Sequence, residues 1–96
     1  MSAINPEELE TTPEYDARVV ATFFDGDRLK QIPTQFKKRL VVLRRLRDAF
    51  ERERVYTEPE VNQVLSRFNE DFATLRRELI ETGLLVRHKG EYARPD

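Results

Sequence analysis

The chain has no cysteine, no tryptophan, one histidine and only three glycines among its 96 residues. Without cysteine there is no disulfide, no thiolate zinc site and no cysteine nucleophile, and a reducing compartment is permitted. His88 stands alone between Arg87 and Lys89, so a histidine metal site or a catalytic triad has no material. Gly26, Gly83 and Gly90 are too scattered for a glycine-rich phosphate loop. Asp25 and Asp27 flank Gly26 but lack the further ligands of a calcium loop. The expectation is a protein that is not an enzyme and carries no cofactor or metal. The longest apolar run, Leu40 to Leu43, is far below the ~20 residues of a membrane span. The N-terminus, MSAINPEELETTPEYD, is acidic and has no apolar signal core. The expected location is the cytoplasm, with no membrane partner.

Charge is what the chain has in excess. Charged residues make up 36%, against about a quarter in ordinary globular chains. The 17 bases and 18 acids nearly cancel, to a net charge of −1, which at face value argues against nucleic acid as a partner. The distribution argues otherwise. Residues 1–27 hold one base against seven acids, residues 28–54 ten bases against three acids, and residues 55–96 six bases against eight acids. Neutrality therefore hides an acidic arm beside a strongly basic centre, and the arm is a candidate screen for that basic face.

The length allows one core. Residues 1–13 read as a flexible acidic tail and residues 14–96 as a single domain. Tyr15, Val19 and Phe23 form one helical stripe, joined by Val20, over 14–24, with Thr12 as N-cap and Pro13 at the first helical position. Asp25-Gly26-Asp27 makes a turn, and Arg28 to Ile32 gives a weak strand signal that Pro33 ends. The strongest periodicity runs over 35–52, behind Thr34 as N-cap: Phe36, Leu40, Leu43, Leu46 and Phe50 form the apolar stripe, Val42 and Ala49 flank it, and Lys37, Arg44, Arg45 and Arg52 lie opposite. Arg54-Val55-Tyr56 is a β-prone break. Thr57 and Glu60 make a capping box for a helix over 58–67, with Val61, Val64, Leu65 and Phe68 on its apolar side. Asn69 is the expected N-cap of a helix over 70–82 with the stripe Phe72, Leu75 and Leu79, and Gly83 fits its C′ position. Residues 84–87 and 91–94 flank a turn at 88–90 and predict a C-terminal β-hairpin.

Long helix, short strand, helix, turn, helix, hairpin is the order of a winged helix-turn-helix. The predicted fold is thus mainly α with a small β-hairpin, a winged helix-turn-helix with an extra N-terminal helix. In such folds the second helix of the pair enters the major groove and the hairpin meets the backbone. That points to DNA as partner, contacted through phosphates. The candidate contacts are Lys37, Lys38, Arg44 and Arg45 on the long helix, Arg87 and Lys89 at the wing, and Thr74 and Arg77 on the groove helix. Arg94, beside the wing, fits phosphate contact as well, and Arg76, on the flank of the apolar stripe, reads as a structural partner of Glu60 or Asp71. One feature resists: Glu70, Asp71, Glu78 and Glu81 outnumber Arg76 and Arg77, so the groove helix is acidic. The alternative is a protein-interaction module that docks a basic partner through that helix. Tyr15, Val19 and Phe23 either pack on the core or also serve a homodimer.

Four stretches carry a resemblance: Arg28-Leu-Lys-Gln-Ile-Pro33, Lys38-Arg-Leu-Val-Val-Leu43, Tyr56-Thr-Glu-Pro-Glu-Val-Asn62 and Asp71-Phe-Ala-Thr-Leu-Arg-Arg-Glu-Leu79. Together, over about residues 22–94, they resemble a small bacterial domain of unknown function that occurs alone or fused behind ArsR-type winged-helix regulators. The resemblance implies a cytoplasmic bacterial protein linked to transcriptional regulation. It supplies no activity, ligand or catalytic residue.

Overall fold

The computed structural model describes residues 10–95. Within them lie α1 (Pro13–Phe23), β1 (Phe24–Asp25), β2 (Arg28–Leu29), α2 (Phe36–Arg47), β3 (Tyr56–Thr57), α3 (Glu58–Ser66), α4 (Phe72–Glu81), β4 (Val86–His88) and β5 (Glu91–Ala93). The architecture is a small α+β domain with four helices and two antiparallel sheets, one of two strands and one of three in the order β3-β5-β4. The β part is thus larger than a single hairpin. Of the expected tail, residues 1–9 lie outside the described residues.

Local chemistry sets most boundaries. Thr12 accepts the Tyr15 amide at 3.1 Å and Pro13 occupies the first turn of α1. Thr57 and Glu60 form the reciprocal capping box of α3, at 3.3 and 2.8 Å. At the end of α4 the amides of Leu84 and Gly83 donate to the carbonyls of Leu79 and Ile80. This is a Schellman closure, and it needs the left-handed backbone that Gly83 supplies at φ +76°.

Four boundaries depart from the sequence expectation. First, α2 ends at Arg47 rather than 52. The Ala49 and Phe50 amides bond back three residues, to Leu46 and Arg47, so the last turn tightens while Phe50 stays buried and continues the stripe. Second, α2 starts at Gln35 as cap without a side-chain bond. Thr34 offers only its carbonyl, which accepts from Arg39. Third, Asp71 rather than Asn69 caps α4. The Asn69 side chain is engaged elsewhere, donating to the Leu29 carbonyl and accepting from the Asp71 amide, each at 2.8 Å. Fourth, the weak strand at 28–32 is real but only two residues long. It pairs with β1, formed where the sequence predicts the last residue of the first helix and the first of the turn, with Phe24 opposite Leu29.

The core draws on every element. Leu43, Leu46, Leu65, Leu75, Leu79, Val42 and Val61 are fully buried, with Val19 and Phe24 from the N-terminal pieces and Tyr56 and Tyr92 from the sheet. Val41 and Val42, which a single stripe leaves at the side, are buried because α1 packs along α2 and covers a second face. Each such side chain contributes roughly 1.5–3 kcal/mol of apolar burial. The Tyr15, Val19 and Phe23 face of α1 packs on this core. The β1–β2 hairpin is bolted to the end of α3: the Leu29 amide donates to Phe68, and the Arg28 guanidinium caps the Ser66 and Arg67 carbonyls.

Candidate nucleic-acid interface

The hairpin β4–β5 turns through Lys89 and Gly90, both at positive φ (50° and 78°). That is the two-residue type I′ geometry, which matches strand twist and needs two left-handed residues in succession. The turn sets His88 opposite Glu91 and Arg87 opposite Tyr92, while β5 also pairs Tyr92 with Tyr56 of β3. Alternation then gives the sheet two faces. Tyr56 and Tyr92 point into the core, and Arg87 shares their side.

Between this sheet and α4 runs an open cleft of about 400 Å³, lined by Glu58, Ala73, Arg76, Arg77, Ile80, Glu81, Arg87 and Tyr92. Its base is tied together. The Tyr92 hydroxyl donates to Glu58 Oε1 at 2.7 Å, Arg76 Nε lies 3.9 Å from the same oxygen, and the Arg76 guanidinium also bonds Asn62 Oδ1. The Tyr92 hydrogen bond, then the Arg76 charge, hold the Glu58 carboxyl below its ordinary range. Burial, then the Glu58 bond, push the Tyr92 hydroxyl up. Arg76 is therefore a structural residue, as its flanking position implied, but its acid is Glu58. Glu60 and Asp71 are already committed to the caps of α3 and α4. Sequence spacing within one helix could not find Glu58, because the partners meet across α3, α4 and β5.

The predicted contact residues fall into two groups. Arg77 and Arg87 come together on the cleft, on opposite walls, with Lys89 exposed at the tip of the hairpin. None of Lys37, Lys38, Arg44 and Arg45 lines it. Lys37 sits 4.7 Å above the Tyr15 ring and Arg45 5.2 Å from the Phe24 ring. Lys38 borders a small groove with Tyr15, Arg18, Val19, Thr22 and Phe23, and Arg44 is half-buried. Two members of the basic run on α2, Lys37 and Arg45, thus lie over aromatic rings of α1 and β1. Thr74 is half-buried rather than outward, and its amide is capped by Asp71. Arg94 is turned inward and donates to the Phe50 carbonyl.

The acids of α4 also sort themselves. Asp71 is spent as the N-cap, where the helix dipole favours a negative charge. Glu78 lies 3.5 Å from Arg39 of α2. Among the described residues only Glu70 and Glu81 remain of the four, with Glu81 on the cleft. Among the described residues no three His, Asp or Glu side chains cluster as metal ligands, and no helix is long and apolar enough to cross a membrane.

A small α+β domain with an arginine-lined cleft between its last helix and its sheet is the class these observations define. The chain belongs to a bacterial family described as "Uncharacterized protein conserved in bacteria (DUF2087)", which it matches over residues 28–94. No curated protein and no solved structure gives a significant match.

Proposed function

We propose that the chain is a DNA-binding, transcription-associated regulatory module built as a winged helix-turn-helix with an added N-terminal helix. The observation that carries this reading is the strand order β3-β5-β4 with α3 and α4 inserted between β3 and β4. A winged helix-turn-helix has this connectivity: the strand before the helix pair closes against the last strand of the wing. In that frame α4 is the groove helix and the Lys89-Gly90 turn is the wing tip. Phosphate contact falls first to Arg77, Arg87 and Lys89, with the Arg44 and Arg45 end of α2 as a second surface. The same reading includes a cytoplasmic location and an association with ArsR-type regulators, both of which the sequence resemblance implies. The competing reading, a module that docks a basic partner through an acidic α4, loses ground because Asp71 and Glu78 are engaged within the fold.

The test is fluorescence anisotropy of a labelled random duplex between roughly 50 and 200 mM salt, where a phosphate-driven complex weakens steeply. The expected result is salt-sensitive binding that R87E/K89E weakens more than R44E/R45E. Absence of binding at the lowest salt would overturn the reading.

A further inference from the structure

We infer that Arg77 and Arg87 form a clamp for one phosphate group across the cleft between α4 and the wing. Among the described residues neither guanidinium has a hydrogen-bond or ion-pair partner, although both line the same 400 Å³ cleft. Each is exposed, and each is fixed at its root by a rigid element: Arg77 on α4, and Arg87 on β4 opposite the buried Tyr92. The one acid at the base of the cleft, Glu58, is held by the Tyr92 hydroxyl and by Arg76, so it is taken up before a ligand arrives. Two planar, five-donor cations facing one space, neither with a hydrogen-bond or ion-pair partner among the described residues, suit a tetrahedral oxyanion, which accepts several charge-assisted hydrogen bonds at once. Ala73 and Ile80 add apolar wall beside them, enough to rest the organic part of a phosphomonoester. Among the described residues Glu81 is the one carboxylate of the cleft without such a tie, and it opposes the anion.

The clamp deepens the DNA-binding reading where the phosphate belongs to a nucleic-acid backbone. It stands apart from that reading where the phosphate is free. The shared chemistry is one phosphate group between two arginines.

Titrations of the full chain with inorganic phosphate, adenosine monophosphate and duplex DNA, followed by ¹⁵N NMR with sodium chloride as an ionic-strength control, separate these sources. The expected result is that phosphate, but not chloride, shifts the amides around Arg77 and Arg87. R77Q or R87Q should raise the phosphate Kd about tenfold, E81Q should lower it, and R44Q should leave it unchanged. Tighter binding of the monophosphate without binding of duplex keeps the clamp and removes the DNA-binding reading. Duplex binding that R77Q and R87Q abolish, with small phosphates silent, assigns the clamp to the nucleic-acid backbone. Shifts equal in phosphate and chloride, or binding that neither R77Q nor R87Q affects, overturn the proposal. Retained dispersion of the variant spectra shows that they fold.

Discussion

The Tyr92 hydroxyl donates a 2.7 Å hydrogen bond to the Glu58 carboxylate and so fastens β5 to the first turn of α3. Tyr92 itself is buried, so the bond joins the core face of the sheet to the base of the cleft. It is the first cause of the lowered Glu58 pKa, with Arg76 second and Arg87 a smaller contributor. A carboxyl that titrates lower when folded than when unfolded stabilises the fold above its unfolded pKa, about 4.3. That stabilisation is lost as the pH falls through the folded value. Tyr92→Phe is therefore expected to lower Tm at pH 7, with the gap to the parent narrowing towards pH 3. Thermal melts by circular dichroism at pH 7, 5 and 3 measure it. A gap that stays constant with pH would mean that the ionised form of Glu58 is not what the hydroxyl supports.

Asn69 holds two elements with one amide group. Its Nδ2 donates to the Leu29 carbonyl and its Oδ1 accepts the Asp71 amide, so it joins the β1–β2 hairpin to the entry of α4. At about 0.5–1.5 kcal/mol for each hydrogen bond, Asn69→Ala should cost about 1–3 kcal/mol. Asn69→Asp keeps the acceptor and loses the donor, and should fall between. Urea denaturation midpoints rank the three proteins. Equal loss in both variants would show that the Leu29 bond alone matters.

These examples show which parts of the molecule the residues announce. Periodicity located Leu40, Leu43, Leu46 and Phe50 on one buried face. Short-range side-chain rules located Thr12, Thr57 with Glu60, and Gly83, because a cap is decided within four residues. What was illegible depends on distant partners. Asn69 has the chemistry of an N-cap, but Leu29, forty residues away, occupies its donor. Phe24 reads as the last residue of the first helix and becomes a strand because Leu29 pairs with it. At the candidate site, Arg77, Arg87 and Lys89 could be nominated by type and position. The convergence of Arg77 and Arg87 with Glu58 and Tyr92 requires the pairing of β5 with both β3 and β4.

The wing turn has an expected cost of its own. Gly90 is at φ +78° with nothing within 4 Å of where a Cβ would sit, so a side chain there meets backbone strain and no steric clash. Gly90→Ala should destabilise by about 1–2 kcal/mol, the penalty of a left-handed L-residue, and should loosen the tip that carries Lys89. Denaturation gives the first effect, and amide hydrogen exchange of β4 and β5 gives the second. Unchanged exchange in a destabilised variant would place the strain outside the hairpin.

The family match begins at Arg28, yet the physical domain begins earlier. Val19 and Phe24 belong to the core cluster, exposed only 4% and 6%. β1 is the pairing partner of β2, and α1 covers the side of α2 where Val41 is buried. A chain of residues 28–96 therefore loses the burial of a valine and a phenylalanine, roughly 3–6 kcal/mol together, and leaves the Leu29 strand unpaired. Small domains are stable by only about 5–15 kcal/mol in all, so the truncated chain should be largely or partly unfolded at 25 °C. A chain of residues 10–96, which keeps every described element, is the control. Urea midpoints and ¹⁵N spectral dispersion of the two truncations decide the matter. If residues 28–96 fold with unchanged stability, α1 is an appendage to a self-sufficient core, and the cation–π contacts of Lys37 and Arg45 with Tyr15 and Phe24 only park charges that the shorter chain would present to solvent.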